Sequence, residues 1–529
     1  MKTMESTFRI PRAYTGLRAA FVAALLPLLS CSTTAAPVRQ RAVRPAPNQE
    51  WARGAVFYEI FVRSFADSDG DGIGDFNGLT SKLDYLRNDL GVDGIWLMPV
   101  FQSPSYHGYD TTDYETIEKD YGTNADFHRF LEEAHRRGIR VILDFVMNHT
   151  SSQHPWFIDS ASSSTSPKRD WYVWSATNPG WTQPWGGDPT WHLKNNAYYY
   201  GVFWSGMPDL NYRTPAVKAE MFRLGRYWLT QGADGFRLDA TRYLVEDGPG
   251  PGQADTPETH QVLKEFAADV QRTKPDAILV AENTVNTPTL ATYYADGLMN
   301  FNFPLASAIV DGVNSGNANR IRTTLRDMIA AYPPRIIDAP FLTNHDHTRI
   351  ATQLNKDSRK LRNAAAVLLT LPGTPFIYYG EEVGLQNGPT PADESKRTPM
   401  PWTPTGGFTT GTPWFAYAPG VATANVASEI NDPQSLLSYY RNWIAARKRS
   451  LALLKGDITP LETSSQILAF TRDSGDEHVL VIHNLGDSSA SLTLPVNGLP
   501  EAILEDSGVS ITGSNISLPA RSSGVWRIR

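Results

Sequence analysis

Eight short runs of buried-type residues, separated by stretches long enough for a helix, limit this 529-residue chain more than any other feature. They fall at residues 56–62, 94–98, 140–145, 235–239, 278–282, 297–301, 341–343 and 375–379. Continuous apolar runs of this length, bounded by polar residues, read as strands buried on both faces, the state of a parallel sheet. The interval 124–137 places Phe127, Phe130, Leu131 and Ala134 at helical spacing, and Gly138 follows directly, where a helix end favours glycine. Strands alternating with helices in this way predict an α/β fold, a (β/α)8 TIM barrel over residues 51–147 and 213–455.

Two segments break the alternation. Residues 148–212 follow the third strand and are too long for a simple loop, so they read as an inserted subdomain. Seven of the chain's 14 tryptophans lie there: Trp156, Trp171, Trp174, Trp181, Trp185, Trp191 and Trp204. A small subdomain with little regular structure needs large aromatics for its core, and indole faces also stack on sugar rings. Most of the seven are expected in a core and one or two in a cleft. From residue 456 to 529 the pattern becomes short strands between Gly, Asp and Ser turns, which predicts a C-terminal antiparallel β-sandwich.

A net charge of −7 gives no basic footprint, so nucleic acid is not an expected partner. Lys2, Arg9, Arg12 and Arg18 precede an apolar stretch at 19–29, too short to span a bilayer and proportioned like a secretory signal. That stretch ends in Leu28-Leu-Ser-Cys31, similar to a bacterial lipobox, and Cys31 is the only cysteine, so no intrachain disulfide can form. The expectation is a lipoprotein signal at 1–30, a lipidated Cys31, a tether at 31–50, and a monomer exported across the inner membrane and held on a bacterial membrane. An ordinary cleaved signal with an incidental cysteine is the plainer alternative.

Three carboxyls stand at expected strand ends: Asp239, Glu282 and Asp346. Parallel barrels keep reacting groups at that end of the strands. One acid there could merely cap the next helix; three converging suit glycoside hydrolysis, with a nucleophile, an acid/base and one more charge near an oxocarbenium-like centre. Arg237, two residues before Asp239, shares its face and is expected to lower its pKa. Asp67-Ser-Asp-Gly-Asp-Gly-Ile-Gly-Asp75 sets carboxylates at alternate positions around Gly72, as calcium loops do, although Gly78 stands where an EF-hand carries Glu.

The segments Asp144-Phe-Val-Met-Asn-His149, Met207-Pro-Asp-Leu-Asn211, Gly235-Phe-Arg-Leu-Asp-Ala240, Val280-Ala-Glu-Asn283 and Thr343-Asn-His-Asp346 occur in this order. In them the chain resembles the α-amylase superfamily of retaining glycoside hydrolases, on a branch between the oligo-1,6-glucosidase and neopullulanase types. The resemblance implies Asp239 as nucleophile, Glu282 as general acid/base and Asp346 as the residue holding the sugar's hydroxyls. It implies sugar contacts from His149 and His345, a stacking platform at Tyr109, and an Asp110–Arg397 pair gripping a non-reducing end. It also implies Ca2+ on Asp67, Asp69, Asp71, Asp75 and the carbonyl of Ile73. Arg242-Tyr243 replaces the Lys-His of typical α-amylases, which counts against a second calcium near Asn148. Ala240 resembles α-1,4-specific members. The expected activity is an α-amylase acting on starch or maltooligosaccharides, with an exo-α-glucosidase or trehalose synthase-like transglycosylase as alternatives. A non-catalytic sugar-binding lipoprotein is the rival of another class, and such relatives lose the three carboxyls.

Overall fold

The computed structural model describes residues 49–493, 500–512 and 514–528. The expected signal, Cys31 and nearly all of the tether lie outside the described residues, among which no helix is long and apolar enough to cross a membrane.

Eight parallel strands run as β1 (Phe57–Ile60), β2 (Gly94–Leu97), β3 (Arg140–Val146), β4 (Gly235–Asp239), β5 (Ile278–Ala281), β6 (Met299–Phe301), β7 (Asp338–Ala339) and β8 (Phe376–Tyr378). They hydrogen-bond in the order β7-β6-β5-β4-β3-β2-β1-β8. The ring closes because Phe341 bridges Phe376 in parallel, and the amides of Thr374 and Phe376 donate to the carbonyls of Asp338 and Pro340 at 2.8 and 2.9 Å. The seventh strand was expected at 341–343. It lies earlier and is only two residues long, because Pro340 has no amide with which to continue the ladder.

Side chains alternate along each strand. Phe57, Trp96, Ile142, Val280, Phe301 and Phe376 form a buried cluster inside the barrel. Tyr58, Ile95, Val141, Phe236, Leu279 and Ile377 belong instead to the larger cluster shared with the surrounding helices. The inward column is therefore apolar low in the barrel and changes to Glu59, Asp144, Arg237 and Asp239 toward the C-terminal strand ends. At the opposite end Gly235 opens β4 with φ of +145°, where a Cβ would lie 2.0 Å from the Ile278 carbonyl oxygen.

Between Val146 and Pro215 the inserted region carries the helix Pro155–Ser162 and an antiparallel sheet of Trp174–Ser175, Ala197–Tyr200 and Trp191–Lys194. Trp191 is buried with Tyr200 and Val202, with Trp181 and Trp185 packed on them. Trp156, Trp171 and Trp174 pack against the main core, and Trp204 is 52% exposed. Six of the seven tryptophans thus serve as core.

The C-terminal region has a five-stranded and a three-stranded sheet, each paired antiparallel. Ile467, Ala469, Leu480, Ile482 and Trp526 meet Ile516 and Leu518 of the smaller sheet. Their alternates Leu468, Phe470, Val479 and Val481 join the main core. The larger sheet is therefore apolar on both faces. Arg472, fully buried, donates to the Thr370 carbonyl at 2.7 Å across this junction. Phe470→Ala should cost about 3–5 kcal/mol in urea unfolding. A cost under about 1 kcal/mol would mean that this face is not packed against the barrel.

Candidate active site

Arg237 and Asp144 are register partners on β4 and β3, and alternate spacing puts Asp239 on the same face as Arg237. The Arg237 guanidinium is 1% exposed. Its Nη1 donates to both Asp144 oxygens, at 2.9 and 3.0 Å, and to Asp239 at 2.7 Å. Its Nη2 lies 2.9 Å from Glu282, just beyond β5. One buried cation thus ties three carboxyls from three adjacent strands. Glu282 also accepts the Ala240 amide at 3.2 Å, and Ala240 adopts φ of +51°, a left-handed conformation uncommon for alanine.

Asp346, on the loop after β7, completes the group. Arg397 Nη2 donates to it at 3.0 Å, and His345 Nε2 lies 3.2 Å away. His345 is fully buried, with Nδ1 2.6 Å from Glu59 and Nε2 2.7 Å from the Tyr109 hydroxyl. That hydroxyl donates onward to Asp144 at 3.0 Å. Trp96 packs edge-on against His345 at 5.6 Å and lies under the Arg237 guanidinium at 5.2 Å.

Asp144, Asp239, Glu282, Asp346 and Glu59 outnumber the cations Arg237, His345 and Arg397 here. Burial pushes Asp239 and Glu282 above the ordinary carboxyl range; Arg237 opposes this at each without cancelling it, and Asp346 adds to the rise. For Asp239 the pull of Arg237 is downward, as expected, but burial outweighs it, so the net direction is up. Burial likewise takes Asp144 up to about 7 against the pull of Arg237. Asp346 goes the other way: burial would raise it, but His345 and Arg397 hold it well below its usual range. A site with surplus negative charge and raised carboxyls can keep a proton for a leaving group and stabilise a cationic centre.

Other expected sugar contacts are engaged within the protein. His149 Nε2 donates to the Tyr109 carbonyl at 3.1 Å, and its Nδ1 faces the Asn148 amide at 3.3 Å. Both ring nitrogens are thus engaged within the protein, and burial pushes the His149 pKa down to about 4. Tyr109 stacks on His345 at 5.4 Å, so one face of the expected platform is already covered. Asp110 accepts the hydroxyl of Ser103 at 2.7 Å and that of Ser105, whereas Arg397 meets Asp346, Asp393 and Tyr106. No direct Asp110–Arg397 pair is formed; the short serines beside Asp110 supply nearer donors. Arg242 pairs with Asp255 at 2.9 and 2.7 Å, and the Tyr243 ring packs on Trp185 and Phe203. Glu59, Asp144 and Trp96 were not picked out as site residues. The available signal was a carboxylate inside an apolar strand run, since a buried charge needs a partner.

In the acidic loop, Asp67, Asp69 and Asp71 each bring an oxygen within 4.8 Å of the others. Gly72 has φ of +95°, and a Cβ there would lie 2.0 Å from the Thr412 carbonyl oxygen. Three hard oxygen donors crowded on a tight turn fit a calcium ion. Asp75 stands apart. It accepts from Ser68 N, Ser68 Oγ and Gly78 N at 2.7–2.8 Å and caps the helix Phe76–Ser81, outside the cluster of three. Ile73 donates its amide to Asp71 at 2.7 Å.

Residues 59–456 match the family model of the alpha amylase catalytic domain, and 467–525 match that of the alpha-amylase SusG C-terminal domain. The chain is 41% identical to alpha-amylase 3 of Dictyoglomus thermophilum, over 83% of this chain and 86% of that protein. It is 36% identical to the trehalose synthase of Pimelobacter sp., over 82% and 87%. Its fold is similar to the crystal structure of the α-amylase from H. orenii, with TM-score 0.82 and 38% identity over 90% of this chain and all of that one.

Arg237→Leu should cost about 3–5 kcal/mol of stability, since it strands three buried carboxyls, and Arg237→Lys should lose at least about a hundredfold in kcat. Near wild-type turnover in the lysine variant would mean that the shared guanidinium is not required.

Proposed function

The chain belongs to the α-amylase family and is a glycoside hydrolase; on that premise we propose that it cleaves α-1,4 bonds of starch and maltooligosaccharides with retention. The observation that carries this reading is the convergence of Asp239, Glu282 and Asp346 at the C-terminal mouth of the barrel, tied by Arg237, His345 and Arg397. Asp239 attacks the anomeric carbon while Glu282 gives its proton to the departing glycosidic oxygen, leaving a β-glycosyl ester. Glu282, now ionised, takes a proton from water as that water opens the ester. Asp346, kept ionised by His345 and Arg397, receives the sugar's hydroxyls and favours the flattened ring.

Transfer to a second sugar is the alternative fate of the same ester, and the 36% identity to a trehalose synthase favours testing for it. Products from soluble starch, maltoheptaose and maltose decide, with Asp239→Asn as the blank. An early spread of maltooligosaccharides is expected. Glucose alone from the start would mean exo action, and trehalose from maltose would mean transfer. Full activity in Asp239→Asn would remove it as nucleophile.

Asp67, Asp69 and Asp71 would hold Ca2+, a structural tie between the loop after β1 and the segment around Thr412. Calcium at a hundred times its dissociation constant should stabilise the fold by about 2.7 kcal/mol, raising the thermal midpoint in a way that chelation reverses. Asp69→Asn should abolish that rise. Equal midpoints with and without calcium in the wild type would refute the site.

From the lipobox-like Leu28-Leu-Ser-Cys31 after the apolar stretch 19–29, we further propose that the enzyme is an exported lipoprotein anchored through Cys31. Cys31→Ser should move it from the detergent phase to the aqueous phase, and an unchanged distribution would exclude the anchor.

A further inference from the structure

His345 has an acceptor at each ring nitrogen. On one side Glu59 Oε1 lies 2.6 Å from Nδ1 and also takes the His345 backbone amide at 3.3 Å. On the other, Nε2 faces Asp346 Oδ2 at 3.2 Å and the Tyr109 oxygen at 2.7 Å. The Tyr109 hydroxyl also lies 3.0 Å from Asp144 Oδ2, and with its proton turned there its oxygen is left to accept from His345. A bare Nδ1 facing the Glu59 carboxylate, or a bare Nε2 facing that of Asp346, would set lone pair against lone pair at hydrogen-bond distance. Both nitrogens must therefore carry protons.

We propose that Glu59 is a positioning residue that keeps His345 an imidazolium and its Nε2–H fixed between Asp346 and Tyr109, where the sugar is held. The inference rests on the α-glucan hydrolase reading for Asp346. Glu59 is 2% exposed, and it sits beside Trp96 of β2 and Tyr378 of β8 in register, so the β-sheet fixes its carboxyl under the β7 loop. Other charged or titratable groups around the pair are Asp144 on β3, Asp239 on β4, His347 on the same loop, and Arg397, whose Nε donates to the His345 carbonyl at 3.1 Å. Around Glu59 itself are Tyr378 and Glu381, the latter pushed up by burial to about 8. Burial alone would lower the His345 pKa; Asp346 and Glu59 overcome this and carry it to about 9.

The sign follows directly. The pair stabilises the folded state fully below the ordinary histidine value of 6.5, and that contribution is lost as pH rises through about 9. In Glu59→Gln the amide oxygen still accepts from Nδ1 and from the backbone, so the shape is kept while one of the two anions is removed. The alkaline limb of kcat/KM should then move down by at least about one pH unit. The ratio of kcat/KM at pH 8.5 to that at pH 6 should fall at least about threefold relative to wild type. A loss uniform across pH, or an unmoved limb, would overturn the proposal in favour of a packing role.

A second measurement needs no variant to be active. In histidine-labelled wild type, ring 15N shifts of His345, assigned by their absence in His345→Gln, should report both nitrogens protonated at pH 8. A neutral ring at pH 7 would overturn the proposal. Wild type that leaves glucan intact while His345 stays protonated at pH 8 would sink the hydrolase reading and leave the Glu59–His345 pair standing.

Discussion

The Arg237 guanidinium, buried and shared among Asp144, Asp239 and Glu282, is the interaction on which the rest of the site depends. Bringing three carboxyls together inside a barrel is prohibitively unfavourable without a cation, and one cation neutralises only part of their charge. That deficit gives the site its chemistry. It leaves carboxyls raised above their ordinary range by burial and negative charge facing a centre that becomes positive. Arg237 does this from inside a strand, where backbone register rather than side-chain search sets its position.

A second tier repeats the pattern one layer out. His345 and Arg397 hold Asp346 ionised, Glu59 faces His345, and Tyr109 joins this tier to Asp144. The opposite shifts of Asp346 and Glu282 follow from which cations each one meets. Two carboxyls a short distance apart can thus take different protonation states without any metal among them.

How much of this could be read from sequence follows a physical divide. The barrel was legible because strands buried on both faces write themselves as uninterrupted apolar runs, and Asp239 and Glu282 stood at the ends of such runs. Asp346 was legible from its motif and from the apolar run before it, although the strand itself lies earlier, has two residues and stops at Pro340. What sequence did not carry was competition for partners. The sequence does not reveal that His149, Asp110 and Asp75 find a carbonyl, two serines and a helix end as partners within the protein. Glu59 was visible as a charge in an apolar strand, yet its partner lies 286 residues away on the far side of the barrel seam. For Asp239 the strand pattern pairs it with Arg237, whose pull is downward as expected, but does not reveal the burial that outweighs that pull.

The five-stranded sheet at the C-terminus, apolar on both faces, bears on how such a chain can evolve. One face belongs to its own sandwich and the other to the barrel's helical shell, so the two parts do not meet as finished surfaces. Recombination could not swap this sandwich for another as an independent cassette. Any incoming domain would inherit a shell shaped for Leu468, Phe470, Val479 and Val481, and would have to match those positions or arrive with compensating changes in Ser358–Thr370 and its neighbours.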